Sequence, residues 1–374
     1  MNTRIKIYFF LFFLILIFFE FFSYLTSKFI LSDIGVLFDK NKITQNYNNY
    51  LNIRNTTLGW NTVSGKDNLD KYGARVDQSS FTNSQPCIDV YGDSFTYGHD
   101  EEKYAWPSQL SELVNCRVRN FGVGGYGTDQ AQMKFLLRNN HSKIVFLNHF
   151  SENIIRNINQ FRNFIYPNKN YAFKPRYIIY NDKLKVVPLP KIQKKNINDF
   201  LTHPEKYLNN EYFLPNEESG IQQSKFPYTI KVAKSFNHWH LKKKITLNPS
   251  RLIDFYSPNH KSQGLKITYE IMNSFYAEAK SQRLKPVLAI FPTCRDLEYF
   301  KKYNKYPYEN LIELLKENKL RYIDFGPIII NRRSNDFEKL YDRCGGHFNI
   351  LGETLISEVF HSYIVDNNLI KNLN

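Results

Sequence analysis

The chain has 374 residues, 42% hydrophobic and 16% aromatic with 31 Phe and 26 Tyr, which suffices for a sizeable core and excludes disorder throughout. At roughly 100–200 residues per domain, two or three units fit. The net charge of +15 is uneven, because residues 161–263 hold 18 Lys+Arg against 7 Asp+Glu, and the four cysteines show no C-x-x-C spacing, which argues against zinc or a thioredoxin-like site.

Residues 1–27 read as a membrane anchor. Ile7 to Leu25 is apolar but for Glu20 and a few small polar side chains, long enough to cross a bilayer at about 20 residues per span. Arg4 and Lys6 precede it, which predicts a cytoplasmic N-terminus. The run exceeds the ~7–15 apolar residues of a signal peptide and no A-x-A-like site follows. We therefore expect a single-pass inner (cytoplasmic) membrane protein with residues beyond 28 on the periplasmic or extracellular side, where disulfides are possible. Glu20 lies toward the outer end, where snorkelling limits its cost. In that location the basic 161–263 segment rarely meets nucleic acid; anionic lipid head groups or an acidic glycan are the fitting partners, and solvated lysines are the plainer reading.

Residues 28–85 are polar, with turn-like pieces such as Thr56–Asn68, and read as a stalk and N-terminal extension. From 86 to 160 strand and helix alternate: a strand over 87–92, a helix over 106–115, a strand at Cys116–Gly122, a helix from Thr128, and a strand over 143–150. The rhythm breaks over 161–263, which contains one hairpin signal turning at Asn181-Asp182. It resumes over 264–374 with a helix from about Leu265 to Gln282, a strand over 285–292, a helix over 308–318, a strand over 321–326 and a last helix over about 351–365. Such alternation predicts an α/β fold: a parallel sheet with helices on both faces and its site at the carboxyl ends of the strands. Cys87 and Cys116 fall in apolar strand-like segments and read as buried thiols.

Four strand-end or helix-start motifs carry chemistry. "YGDSFTYG" would lift Ser94 on a turn after the first strand; Thr96 stands where G-x-S-x-G wants glycine, which disfavours an α/β-hydrolase elbow. "NFGVGGYGTDQ" satisfies G-x-G-x-x-G with Gly122, Gly124 and Gly127, but the acidic ribose partner of a dinucleotide site is missing from the next strand end. Glycines there equally bring a backbone N–H to a reacting oxygen. "NHFSENIIRN" ends the third strand in polar groups, and "YDRCGGHFNILG" places His347 just before the last helix, where imidazole can take and return a hydroxyl proton.

Together these motifs resemble the SGNH (GDSL-like) hydrolase family, over about half of the chain, 86–160 and 265–365. The resemblance implies a flavodoxin-like three-layer sandwich with a central parallel sheet, interrupted here by the insertion. It implies Ser94 as nucleophile, with an oxyanion hole from Ser94, Gly125 of "NFGVGG" (Asn120, Gly122, Gly125) and Asn153. "SEN" departs from the family's G-N-D block, so either Asn153 or Glu152 occupies its place. Cys344 stands three residues before His347, where the family Asp would be; Asp342 is the nearest acid and the candidate orienter of the imidazole, unless a Ser–His dyad operates. Cys294, after the fourth strand, either pairs with Cys344 in a disulfide bracing the His loop or both remain free thiols.

Membrane-anchored members split by an insertion look like esterases or acyltransferases of envelope glycans. The resemblance thus implies a serine esterase removing O-acyl, chiefly O-acetyl, groups from an envelope polysaccharide or glycolipid, in the company of polysaccharide machinery. An O-acyltransferase with the same Ser and His, or a non-catalytic glycan-binding relative, are the alternatives. Tyr166, Tyr171, Tyr177, Trp239 and Tyr256, interleaved with cations, form either a sugar-stacking rim or the core of a helper domain. No motif calls for a metal or cofactor.

Overall fold

The computed structural model describes residues 3–61, 68–76, 78–215, 217 and 219–370, so residues 62–67 of the turn-like Thr56–Asn68 stretch lie outside the description. Two compact units emerge. One comprises Met1–Asn52, Asn159–Phe173 and Pro190–Arg251; the other Ile53–Ile158, Lys174–Leu189 and Leu252–Asn374.

The first unit opens with helix α1 (Thr3–Leu25), which continues through one wider turn to Leu31. It is the one helix among the described residues long and apolar enough to cross a membrane, and its phenylalanines point outward. Within the 28–85 stretch a helix forms over Lys40–Ile53. Its overall polarity hid an apolar face, since Ile43, Tyr47 and Tyr50 recur at helical spacing and are buried. The core of this unit is aromatic: Phe161 lies 4.7–4.8 Å from Phe164, Phe173 and Phe200. Glu211 anchors it by accepting from the backbone N–H groups of Gln160 and Phe161.

The second unit holds a five-stranded, all-parallel sheet of β1 (Pro86–Tyr91), β2 (Arg117–Asn120), β3 (Ile144–Phe150), β4 (Lys285–Phe291) and β5 (Tyr322–Asp324). Strand order is β2-β1-β3-β4-β5, the doubly wound order whose direction reverses between β1 and β3. All seven residues of β3 are buried, as expected of a strand covered on both faces. α3 (Trp106–Val114) and α8 (Ile350–Asp366) cover one face, with Trp106 stacked on Phe360 at 4.4 Å and Phe360 against Phe146 of β3. α4 (Thr128–Leu136) and α6 (Gly264–Ser281) cover the other through Phe135 and Phe275, 4.8 Å apart. The α/β expectation of a central parallel sheet with helices on both faces therefore holds.

The hairpin Arg176–Tyr180 with Lys183–Val187 belongs to this second unit. Asn181 and Asp182 both take positive φ, 49° and 55°, the conformation a two-residue turn needs to match strand twist.

All four cysteines are paired. Cys87–Cys116, with Cα atoms 6.1 Å apart, overturns the reading of two buried thiols: parallel pairing of β1 and β2 brings their amino ends side by side. Cys294–Cys344, with Cα atoms 5.1 Å apart, ties the start of α7 (Cys294–Tyr303) to the loop before His347.

Candidate functional site

The site grows from the carboxyl end of β1. Gly92 and Asp93 follow the strand, and Asp93 caps the single-turn helix α2 (Ser94–Tyr97) by accepting from the N–H of Phe95 at 2.9 Å. Only glycine fits at 92, because a Cβ there would lie 1.9 Å from Thr96 Oγ1. Thr96 Oγ1 in turn accepts from Asn148 Nδ2 of β3 at 3.0 Å. The residue that breaks the G-x-S-x-G pattern thus locks the serine turn onto the neighbouring strand.

Ser94 is brought to His347. Ser94 Oγ and His347 Nε2 are 2.8 Å apart, across 253 residues of sequence. Phe95 underlies the imidazole, with ring centroids 5.1 Å apart, and itself stacks on Phe150 at 3.9 Å. Partial desolvation by its surroundings lowers the pKa of the imidazole, whose residue is still solvent-exposed; Asp93 pushes it back up, Arg156 further down and Asp342 up. At neutral pH the ring is therefore uncharged and able to accept a proton.

The loop bearing His347 is closed as a short hairpin. Tyr341 bridges Phe348, Asp342 N–H donates to the His347 carbonyl at 3.0 Å, and the Cys294–Cys344 disulfide fixes the turn. This geometry places Asp342 beside His347 through the backbone only. The Asp342 carboxylate is exposed, and no hydrogen bond joins it to the imidazole among the described residues. Its influence on His347 is that of a nearby charge.

The glycine loop is held from three sides. Asn120 Oδ1 accepts from Gly122 N–H at 2.9 Å and Asn120 Nδ2 donates to the Tyr97 carbonyl at 3.0 Å. A Cβ at Gly122 would lie 2.3 Å from the Tyr97 nitrogen, so glycine is what lets β2 and α2 end side by side. Trp60 Nε1 donates to the Gly124 carbonyl and Tyr126 Oη donates to the Trp60 carbonyl. Gly125 turns with φ of 79°. Among the described residues neither its N–H nor that of Ser94 is paired, the condition for serving as oxyanion donors.

In the third block the two candidates separate. Glu152 is neutralised by Arg156, Oε1 to Nη2 at 2.8 Å. Asn153, the first residue of α5 (Asn153–Asn157), is fully buried, and neither of its amide atoms has a partner among the described residues. A buried unpaired amide costs about 1–3 kcal/mol, so the fold holds Asn153 there at a cost.

Arg156 went unnoticed in the sequence. Its guanidinium contacts Asp93 Oδ2 at 2.9 Å, the Tyr126 carbonyl at 3.0 Å and Glu152, tying the serine turn, the glycine loop and the third block together. The signal was the Glu152/Arg156 i,i+4 spacing. Asp93 is fully desolvated, which raises its pKa, and Arg156 opposes that rise. Three of the five interleaved aromatics do not form a rim: Tyr171, Tyr177 and Tyr256 are buried. Tyr256 Oη donates to the Ser151 carbonyl at 2.6 Å and Tyr177 Oη to Gln132 at 2.6 Å, so these two brace the sheet unit.

A Ser–His pair with unpaired N–H donors at the reversal point of a doubly wound sheet defines an arrangement able to attack an electrophilic carbonyl. The chain matches no protein-family model and no curated protein. Solved structures similar to it include one from Desulfitobacterium hafniense DCB-2 placed in the lipolytic G-D-S-L family, at 12% identity, covering 74% of this chain and 97% of that one, TM-score 0.34. Another is a member of the lipolytic protein G-D-S-L family from Veillonella parvula DSM 2008, at 11% identity, 75% and 98% coverage and TM-score 0.35.

Proposed function

We propose that the chain is a membrane-anchored serine ester hydrolase of SGNH type that removes O-acyl groups from an envelope polysaccharide or glycolipid. The observation that carries this reading is the 2.8 Å contact between Ser94 Oγ and His347 Nε2. In the proposed cycle His347 Nε2 takes the Ser94 proton as Oγ attacks the acyl carbon. The oxygen that becomes negative is received by the N–H groups of Ser94 and Gly125 and by Asn153 Nδ2. His347 then returns the proton to the departing sugar oxygen; water, deprotonated by the same nitrogen, attacks the acyl carbon, and that proton passes to Ser94 Oγ as its ester bond breaks and the acid leaves. Asp342 assists only by its charge.

Localisation and partners follow from the anchor. α1 would hold the chain in the inner membrane with the catalytic unit on the outer side, where acylated glycans and the machinery that assembles them are met. The test is full-length protein in detergent with p-nitrophenyl acetate, beside Ser94→Ala and His347→Ala. Both substitutions are expected to abolish turnover; turnover unaffected by either sinks the mechanism. Adding a glycan acceptor and following the acetyl group separates hydrolysis, which yields acetate, from transfer to a sugar hydroxyl.

A further inference from the structure

We propose that Phe226–Leu247 is an interfacial platform that lies on anionic phospholipid head groups where α1 leaves the bilayer. The inference rests on the anchor reading above and adds a second, distinct membrane contact. Residues 225–247 contain six lysines, Lys225, Lys231, Lys234, Lys242, Lys243 and Lys244, and no acidic residue. They form two short helices, Tyr228–Ser235 and Trp239–Ile245.

One side of this pair is occupied: Val232 and Leu241 pack on the buried Leu31, Val36 and Leu37. Other apolar side chains of the pair and its flanks are open to solvent. Phe226, Ile230, Phe236, Ile245 and Leu247 are 70, 52, 56, 56 and 80% exposed. Scattered surface apolar residues need no explanation, but five within 22 positions, interleaved with lysines, are the composition of a helix lying in a membrane interface.

Its position singles out a bilayer over other anionic partners. Glu20, the acid within the apolar run, accepts from the backbone N–H of Tyr228 and, at 3.0 Å, from that of Thr229, whose hydroxyl also donates to it at 2.7 Å. Tyr24 meets Tyr228 edge-on at 5.1 Å. The platform is therefore fastened to the last turns of the membrane-length helix. A carboxylate held by these N–H groups belongs at the level of the head groups, and so does the tyrosine pair beside it. Phe29 and Ile30, 69 and 57% exposed, are further open apolar side chains just past the membrane-length helix. Lysines at that level meet the charge of an anionic leaflet.

The test uses full-length protein in vesicles. Because the native cysteines are all in disulfides, single Phe226→Cys, Leu247→Cys, Ile15→Cys and Leu137→Cys variants each accept one environment-sensitive fluorophore. Labels at 226 and 247 are expected to shift to the blue and to be quenched by shallow nitroxide lipids, more in phosphatidylglycerol-containing vesicles than in phosphatidylcholine alone, whereas 137 does neither. Replacing Lys242, Lys243 and Lys244 by Gln should lower the docked-to-undocked ratio about fivefold per lysine on the anionic vesicles only. Labels at 226 and 247 that emit as in water overturn the platform whatever position 15 reports, including when they respond only to a soluble acidic polysaccharide. Quenching at 226 and 247 without quenching at 15 keeps the platform and sinks the anchor.

Discussion

Glu353 offers the sharpest electrostatic prediction. It sits in the first turn of α8, just after the His347 loop, and its Oε2 accepts from the Trp106 N–H at 2.8 Å. Burial pushes its pKa from 4.5 to about 8, with Trp106 and Arg75 opposing the rise. In the unfolded chain the group ionises near 4.5. Between pH 4.5 and 8 the folded protein therefore holds one proton that the unfolded chain has lost, and stability falls as pH rises, by about 1.4 kcal/mol per pH unit. Across the whole window that amounts to at most about 5 kcal/mol; above pH 8 both states are ionised and the deficit stays constant. Glu353→Gln retains a carbonyl acceptor for Trp106 and cannot ionise. Thermal and urea denaturation of both proteins at pH 5, 6, 7 and 8 should give similar stabilities at pH 5 and a variant more stable by several kcal/mol at pH 8. At about 2–4 °C per kcal/mol for a unit of this size, the Tm difference reaches roughly 10 °C. Parallel stability curves, with a gap independent of pH, would refute a buried protonated Glu353.

Three further outcomes follow from the site. Asn153→Ala should lower kcat about a hundredfold with little change in KM, as expected on losing one oxyanion donor, while Tm is unchanged or raised because a buried unpaired amide is removed; activity kept with stability lost would reverse the assignment. Asp342→Asn should cost less than about tenfold in kcat, against about ten-thousandfold for a hydrogen-bonded triad aspartate, and should move the acid limb of kcat/KM to lower pH, since Asp342 raises the His347 pKa; a loss approaching the triad figure would place its carboxylate on the imidazole. Cys294→Ser with Cys344→Ser opens a loop spanning 50 residues, a change of up to about 4 kcal/mol in chain entropy, and should lower kcat through a looser His347; unaltered kinetics and Tm would show the bridge to be dispensable.

Elements with a strong period were legible. The strands expected over 87–92, 143–150 and 285–292 appear at Pro86–Tyr91, Ile144–Phe150 and Lys285–Phe291, and the helix expected from about Leu265 to Gln282 spans Gly264–Ser281. α7 (Cys294–Tyr303) and a helix over Phe325–Arg333 escaped notice. Each starts directly at a strand end, and its polar or proline-bearing first turn, "TCRD" or "FGP", reads as a loop until the capping contacts are seen. In α7 the cap is reciprocal: Thr293 Oγ1 accepts from Asp296 N–H and Asp296 Oδ2 from Thr293 N–H. The Cys87–Cys116 bridge was invisible for a related reason, since it depends on which strands become neighbours.

The same distinction governs the site. Ser94 and His347 were legible because each lies in a local pattern, and the alternation of strand and helix pointed both to the carboxyl edge of one sheet. What holds them is long-range and unpatterned. Arg156 reaches Asp93, Tyr126 and Glu152 from a helix of five residues, and only its spacing from Glu152 could be seen beforehand. With Arg156 removed, Asp93 would be a fully buried carboxylate without its ion-pair partner, a change that costs about 3–5 kcal/mol where such pairs have been broken. That cost would fall on the residue that caps the serine turn. The departure of "SEN" from G-N-D thus has a physical reading: Glu152 serves Arg156, Arg156 serves Asp93, and Asn153 is left as the polar group of that block with nothing in the fold to satisfy it.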